Sequence, residues 1–201
     1  LAFFTKGSNL WLMFGPLLGA ILAWLVYKQV KRKQLPGVKA LFLTLSLFVL
    51  LLLVSWGLGF AASRIDSLSP LLIGLQGAET SQQLLWGSLL ERVKEPDTFL
   101  ILFFITWLGL DGILSKLQVD PQQIEEKSNH DRLISEDFVV MIILLGALLV
   151  IVPEFLYLRD QFGTRMNTIF KFYFQAWILW SLAGSFAISE FFAKSTNKIN
   201  Q

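Results

Sequence analysis

Between residues 154 and 177 the chain carries Glu154, Arg159, Asp160, Arg165 and Lys171 in surroundings that are otherwise almost continuous hydrocarbon. A charge at mid-bilayer costs roughly 2.5 to 3.5 kcal/mol on insertion scales, so charges massed between two apolar runs need partners, water or a ligand. The residue types point to oxyanion chemistry. Guanidinium groups bind phosphate oxygens in bidentate fashion, and Arg159 and Arg165 would emerge with Lys171 at a membrane surface, where a lipid phosphate lies. Glu154 and Asp160 either orient these arginines through ion pairs or help bind a divalent cation at the phosphate. Orientation is favoured, because two acids among three bases need partners before they need roles. Gly163 would allow a tight turn bringing the arginines to one side, or would simply stop a helix.

The last apolar run extends this site along one helix face. At 100° per residue Thr164, Asn167, Thr168, Lys171 and Gln175 fall within a narrow arc, which Ser181, Ser185 and Ser189 continue and Phe174 and Ile178 interrupt. Lipid offers no hydrogen-bond partners, so the stripe is expected to face protein or a water-filled cavity. For the serines a polar seam against neighbouring helices is the better reading. For Asn167, Lys171 and Gln175 a ligand-facing role and a seam stand level.

The elements that must position these groups are transmembrane helices. Of the 201 residues 54% are apolar and 16% charged, and the apolar residues form long runs instead of amphipathic patterns. Five runs, at about 10–27, 40–61, 98–117, 138–157 and 168–192, approach the roughly 20 residues that cross about 30 Å of hydrocarbon as helix. The expected fold is an all-α polytopic transmembrane bundle of about five spans plus a short interfacial helix, forming a single membrane region over 1–201. Lys28, Lys31, Arg32, Lys33 and Lys39 lie between the first two runs and set that connection on the cytoplasmic side. Alternation then places the charged turn at 158–167 outside the cell membrane, and the 118–137 connection inside.

Composition also excludes functions. There is no cysteine, hence no disulfide, thiolate nucleophile or cysteine metal site, and the single histidine, His130, is expected to be a solvated loop residue. A net charge of +2 is too small to imply nucleic acid, and no metal site is expected. No phosphate-cradling glycine loop, paired-histidine motif or serine nucleophile elbow is present. Residues 81–93 space Leu84, Leu85, Leu89 and Val93 near helical periodicity, which fits a helix in the outer interface or one packed on its own loop. Asp111, inside the third run, is expected to reach the inner interface or pair with a neighbouring helix rather than to meet substrate.

The run of Glu154, Tyr157, Leu158, Arg159, Asp160, Phe162, Gly163, Arg165, Met166, Asn167, Thr168, Phe170, Lys171, Tyr173, Gln175 and Trp177 resembles the signature near the end of the membrane region in the YYY membrane-protein family. That family comprises large, very hydrophobic bacterial and archaeal proteins related to the C-type glycosyltransferases that use polyprenyl-phosphate sugars. The resemblance implies a fragment of a larger membrane protein, with the consecutive-tyrosine motif and the acidic base of the first outer loop lying upstream of Leu1. It implies a glycosyltransferase acting at the extracytoplasmic face on a polyprenyl-phosphate sugar donor. Arg159, Arg165, Lys171 and Asn167 are then the expected lipid-phosphate contacts, supported by Glu154, Tyr157, Asp160 and Gln175. A transporter or flippase for an anionic lipid or solute, and a non-catalytic membrane scaffold, are the alternatives.

Overall fold

A computed structural model describes residues 5–33, 35–65, 81–117, 130–156 and 165–199, without the side chains at 81–85, 88, 91, 130–134 and 194–199. Among the described residues six helices follow in order: α1 (Gly7–Arg32), α2 (Val38–Ser63), α3 (Ser81–Lys94), α4 (Asp97–Leu117), α5 (His130–Phe155) and α6 (Met166–Ile199). No strand occurs among the described residues. All but α3 are long and apolar enough to cross a membrane.

Most helix ends extend beyond the hydrophobic runs, although α4 ends with its run at residue 117 and α5 stops at Phe155, two residues short of its run. Lys28, Lys31 and Arg32 continue α1 as its last turns instead of forming a loop. Lysine and arginine are good helix formers, and cations are favourable at a helix C-terminus, so the apolar boundary at residue 27 is not a helix boundary. The helix ends at Lys33, which takes a left-handed conformation (φ 53°) and donates its N–H to the Val30 carbonyl. Likewise α5 begins at His130, inside the connection expected to be irregular, and α6 runs on past residue 193.

The core is built mainly from α1, α4, α5 and α6, with α2 laid against α4 and α5. Leu10, Phe14, Leu18, Ile21, Trp24 and Leu25 recur at spacings of three and four along α1 and give it one buried face. The most extensive interface joins α5 and α6. There Gly146 lets the Trp180 ring lie on the α5 backbone, where the indole N–H donates to the Ile143 carbonyl at 3.1 Å. Phe14 touches both Tyr173 and Trp180 edge to face, with centroids 5.5 and 5.0 Å apart. At the basic end, Asp111 accepts from the Gly37 N–H at 2.6 Å and from Arg32 Nη1 at 3.2 Å, stapling the α1–α2 connection to α4. Asp111 therefore pairs with a neighbouring helix.

Candidate functional site

A buried polar node sits where α5 ends and α6 begins. The Glu154 side chain is fully buried, and its carboxylate accepts three hydrogen bonds. The Thr5 N–H and Arg165 Nη1 donate to Oε2 at 2.7 and 3.1 Å, and the Tyr173 hydroxyl donates to Oε1 at 2.7 Å. Since the tyrosine proton is committed to Glu154, the Thr5 hydroxyl must donate to the Tyr173 oxygen, 3.0 Å away. The Thr5 oxygen in turn accepts from Arg165 Nη2 at 2.9 Å. Arginine, threonine, tyrosine and glutamate thus form a closed ring in which each bond polarises the next. Thr98 secures the segment before α1 from the other side, donating to the Thr5 carbonyl at 2.6 Å.

The same residues finish α5. The last carbonyls of a helix have no intrahelical donor, and in a bilayer no water replaces one. Here Arg165 Nη1 reaches the Pro153 carbonyl at 3.5 Å, Arg92 Nη2 the Glu154 carbonyl at 3.2 Å, and the Ser55 hydroxyl the Phe155 carbonyl at 2.8 Å. Two guanidinium groups at the negative end of the α5 dipole add favourable charge. Glu154 and Arg165 stand on either side of residues 157–164 in the chain, so their ion pair ties together the segments that flank that stretch.

Beside the node lies an apolar groove of about 380 Å³. Phe48, Leu52, Phe99 and Phe155 form its walls, and Arg92 sits in its lining with the guanidinium 5.5 Å from the centre of the Phe155 ring. Groove and node share a wall, because Arg92 also binds the Glu154 carbonyl.

The expected site residues separate into three groups. Glu154 and Arg165 come together as a buried ion pair. Asn167, Lys171 and Gln175 point away from the node on the exposed face of α6, whose buried face is instead Tyr173, Ala176, Trp180, Ala183 and Ala187. The polar stripe therefore lies on the bundle surface over 167–175, where the short distance to the start of α6 lets Asn167 and Lys171 extend toward interfacial water. Tyr157, Arg159 and Asp160 lie outside the described residues, as does Gly163. Thr5, Arg92, Thr98 and Tyr173 belong to the node and were not among the expected site residues. Only Tyr173 left a trace, as a member of the signature around the turn. A cation could use Glu154 only by displacing three donors, and no cluster of three metal-ligating side chains occurs among the described residues.

Fold and site together define a multi-pass membrane protein with five helices long and apolar enough to cross a bilayer. Over residues 4–180 the chain matches the family described as uncharacterized membrane protein (DUF2298), and it belongs to that family. Neither a curated protein nor a solved structure matches it.

Proposed function

We propose that this chain forms the donor-phosphate end of an integral-membrane glycosyltransferase that uses a polyprenyl-phosphate-linked sugar at the extracytoplasmic face. The observation that carries this reading is the juxtaposition of the Glu154 and Arg165 clamp with the groove lined by Arg92. A polyprenyl phosphate is a long apolar chain ending in an anion, and an apolar groove meeting a fixed cationic end has the matching polarity. Arg159 makes the phosphate contact in this reading, and Arg165, with both terminal nitrogens engaged, is a positioning residue that holds the turn. Lys171 and Asn167, on the exposed face near the same end, would meet the donor only from the lipid side.

The test is photocrosslinking of the protein in nanodiscs with a photoreactive polyprenyl phosphate. Adducts should concentrate on the α3–α4 junction around Val93 to Phe99 and on residues 157–164, and excess unlabelled polyprenyl phosphate should compete them away. Adducts spread evenly over the lipid-facing surfaces of α2 and α6 would contradict the reading and leave the node as a scaffold element.

A further inference from the structure

The opposite end of the bundle carries a second cavity, independent of the reading above. It has a volume of about 360 Å³ and opens between α1, α4 and α5. Its cations are Lys28, Lys31, Arg32 and Lys116, and its acids are Glu136 and Asp137. Lys28 pairs with Glu136 and Lys116 with Asp137, so both acids are committed. Two further acids stand outside the lining and are engaged: Asp111 by Arg32 Nη1 and the Gly37 N–H, and Glu190 by the Trp24 indole N–H. The remaining positive charge facing the cavity is that of Lys31, and Arg32, paired with Asp111, adds a hydrogen-bond donor. Lys31 is exposed and has no ion pair among the described residues. Arg32 spends Nη1 on Asp111 and Ser115, while Nη2 lies over Gly112.

The deep wall is a different material. Trp24, Leu25, Leu108 and Val140 are all apolar, and Gly112 keeps the floor open where any longer side chain would project. A cationic rim over an apolar depth, at the end of a bundle of membrane-spanning helices, selects an amphiphile with an anionic head. Basic pockets between transmembrane helices are a recurrent form of such recognition. We infer that this cavity binds the phosphate headgroup of an anionic phospholipid from the adjoining leaflet, with Lys31 and Arg32 Nη2 on the phosphoryl oxygens and the lipid stem against Leu25, Leu108 and Val140.

Native mass spectrometry of the protein, released from nanodiscs of equal phosphatidylglycerol and phosphatidylcholine, reads the retained lipid. Retention should favour phosphatidylglycerol by about tenfold, the scale of one charge-assisted contact. Lys31→Gln, which removes a charge, and Gly112→Leu, which fills the floor without changing charge, should each reduce that preference severalfold while the protein remains folded by thermal unfolding. Lys39→Gln removes an equal charge from the same end but does not line this cavity, and it should leave the preference unchanged. An equal reduction by all three would reduce the effect to general surface charge and overturn the site, as would no preference in the parent protein. Displacement of phosphatidylglycerol by inorganic phosphate at the same molar concentration would overturn the lipid assignment in favour of a soluble oxyanion.

Discussion

Removing either member of the Glu154 and Arg165 pair leaves the other as a buried charge without its counter-ion, and a buried unpaired charge typically costs about 3 to 5 kcal/mol. Glu154→Leu should therefore lower stability by about that amount in detergent, measured by thermal or denaturant unfolding. The double change Glu154→Leu with Arg165→Met should recover part of the loss, because it removes both charges at similar volume. Strict additivity of the two single losses would mean that the pair does not interact. Tyr173→Phe is a finer probe. It deletes the donor to Glu154 Oε1 and the acceptor for the Thr5 hydroxyl, so a loss of about 1 to 3 kcal/mol is expected in the same assay. The sequence pointed to Glu154 and Arg165 because charges inside a hydrocarbon run are conspicuous. It could not point to Thr5, whose N–H meets a carboxylate 149 residues away, since no local spacing encodes that contact.

At the scale of helices, five hydrophobic runs were legible because a bilayer demands long apolar segments, and the five long helices stand on those runs. Their ends were not, because lysine, glutamate and serine continue a helix beyond the apolar boundary without any hydrophobic signal. The orientation of α6 shows a deeper reason for failure. Periodicity places Asn167, Lys171 and Gln175 on one face but does not say which face turns inward, and here aromatic and small residues pack instead. Small residues are best judged by what they touch. A Cβ on Gly146 would stand 2.3 Å from Trp180 Nε1, so Gly146→Ala should cost about 1 to 3 kcal/mol by overpacking the α5–α6 contact. Nothing lies within 4 Å of the corresponding point on Gly57, and Gly57→Ala should be neutral or up to about 1 kcal/mol stabilising through helix propensity. Unfolding of the two variants side by side checks the contrast, and equal losses would contradict the packing described.

For the whole molecule, the basic cavity lies at one end of the bundle and the Glu154 and Arg165 node at the other. We propose that the basic connection between α1 and α2 faces the cytoplasm, which would put residues 157–164 on the outer side. Cysteines introduced at Lys33 and at Gln161 should label from opposite sides with an impermeant reagent, and labelling of both from one side would break the topology. The central claim, that the turn binds a lipid phosphate, is tested most directly by titrating the protein in nanodiscs with polyprenyl phosphate, using uncharged polyprenol as control. One guanidinium contact to phosphate contributes about 1.5 to 3 kcal/mol, so Arg159→Ala should weaken phosphate binding by roughly tenfold or more, with Arg159→Lys intermediate because lysine restores charge without the planar fork. Equal affinity for phosphate and alcohol, or an Arg159→Ala variant that folds and binds as the parent does, would contradict the account and leave the turn as structural ion pairing.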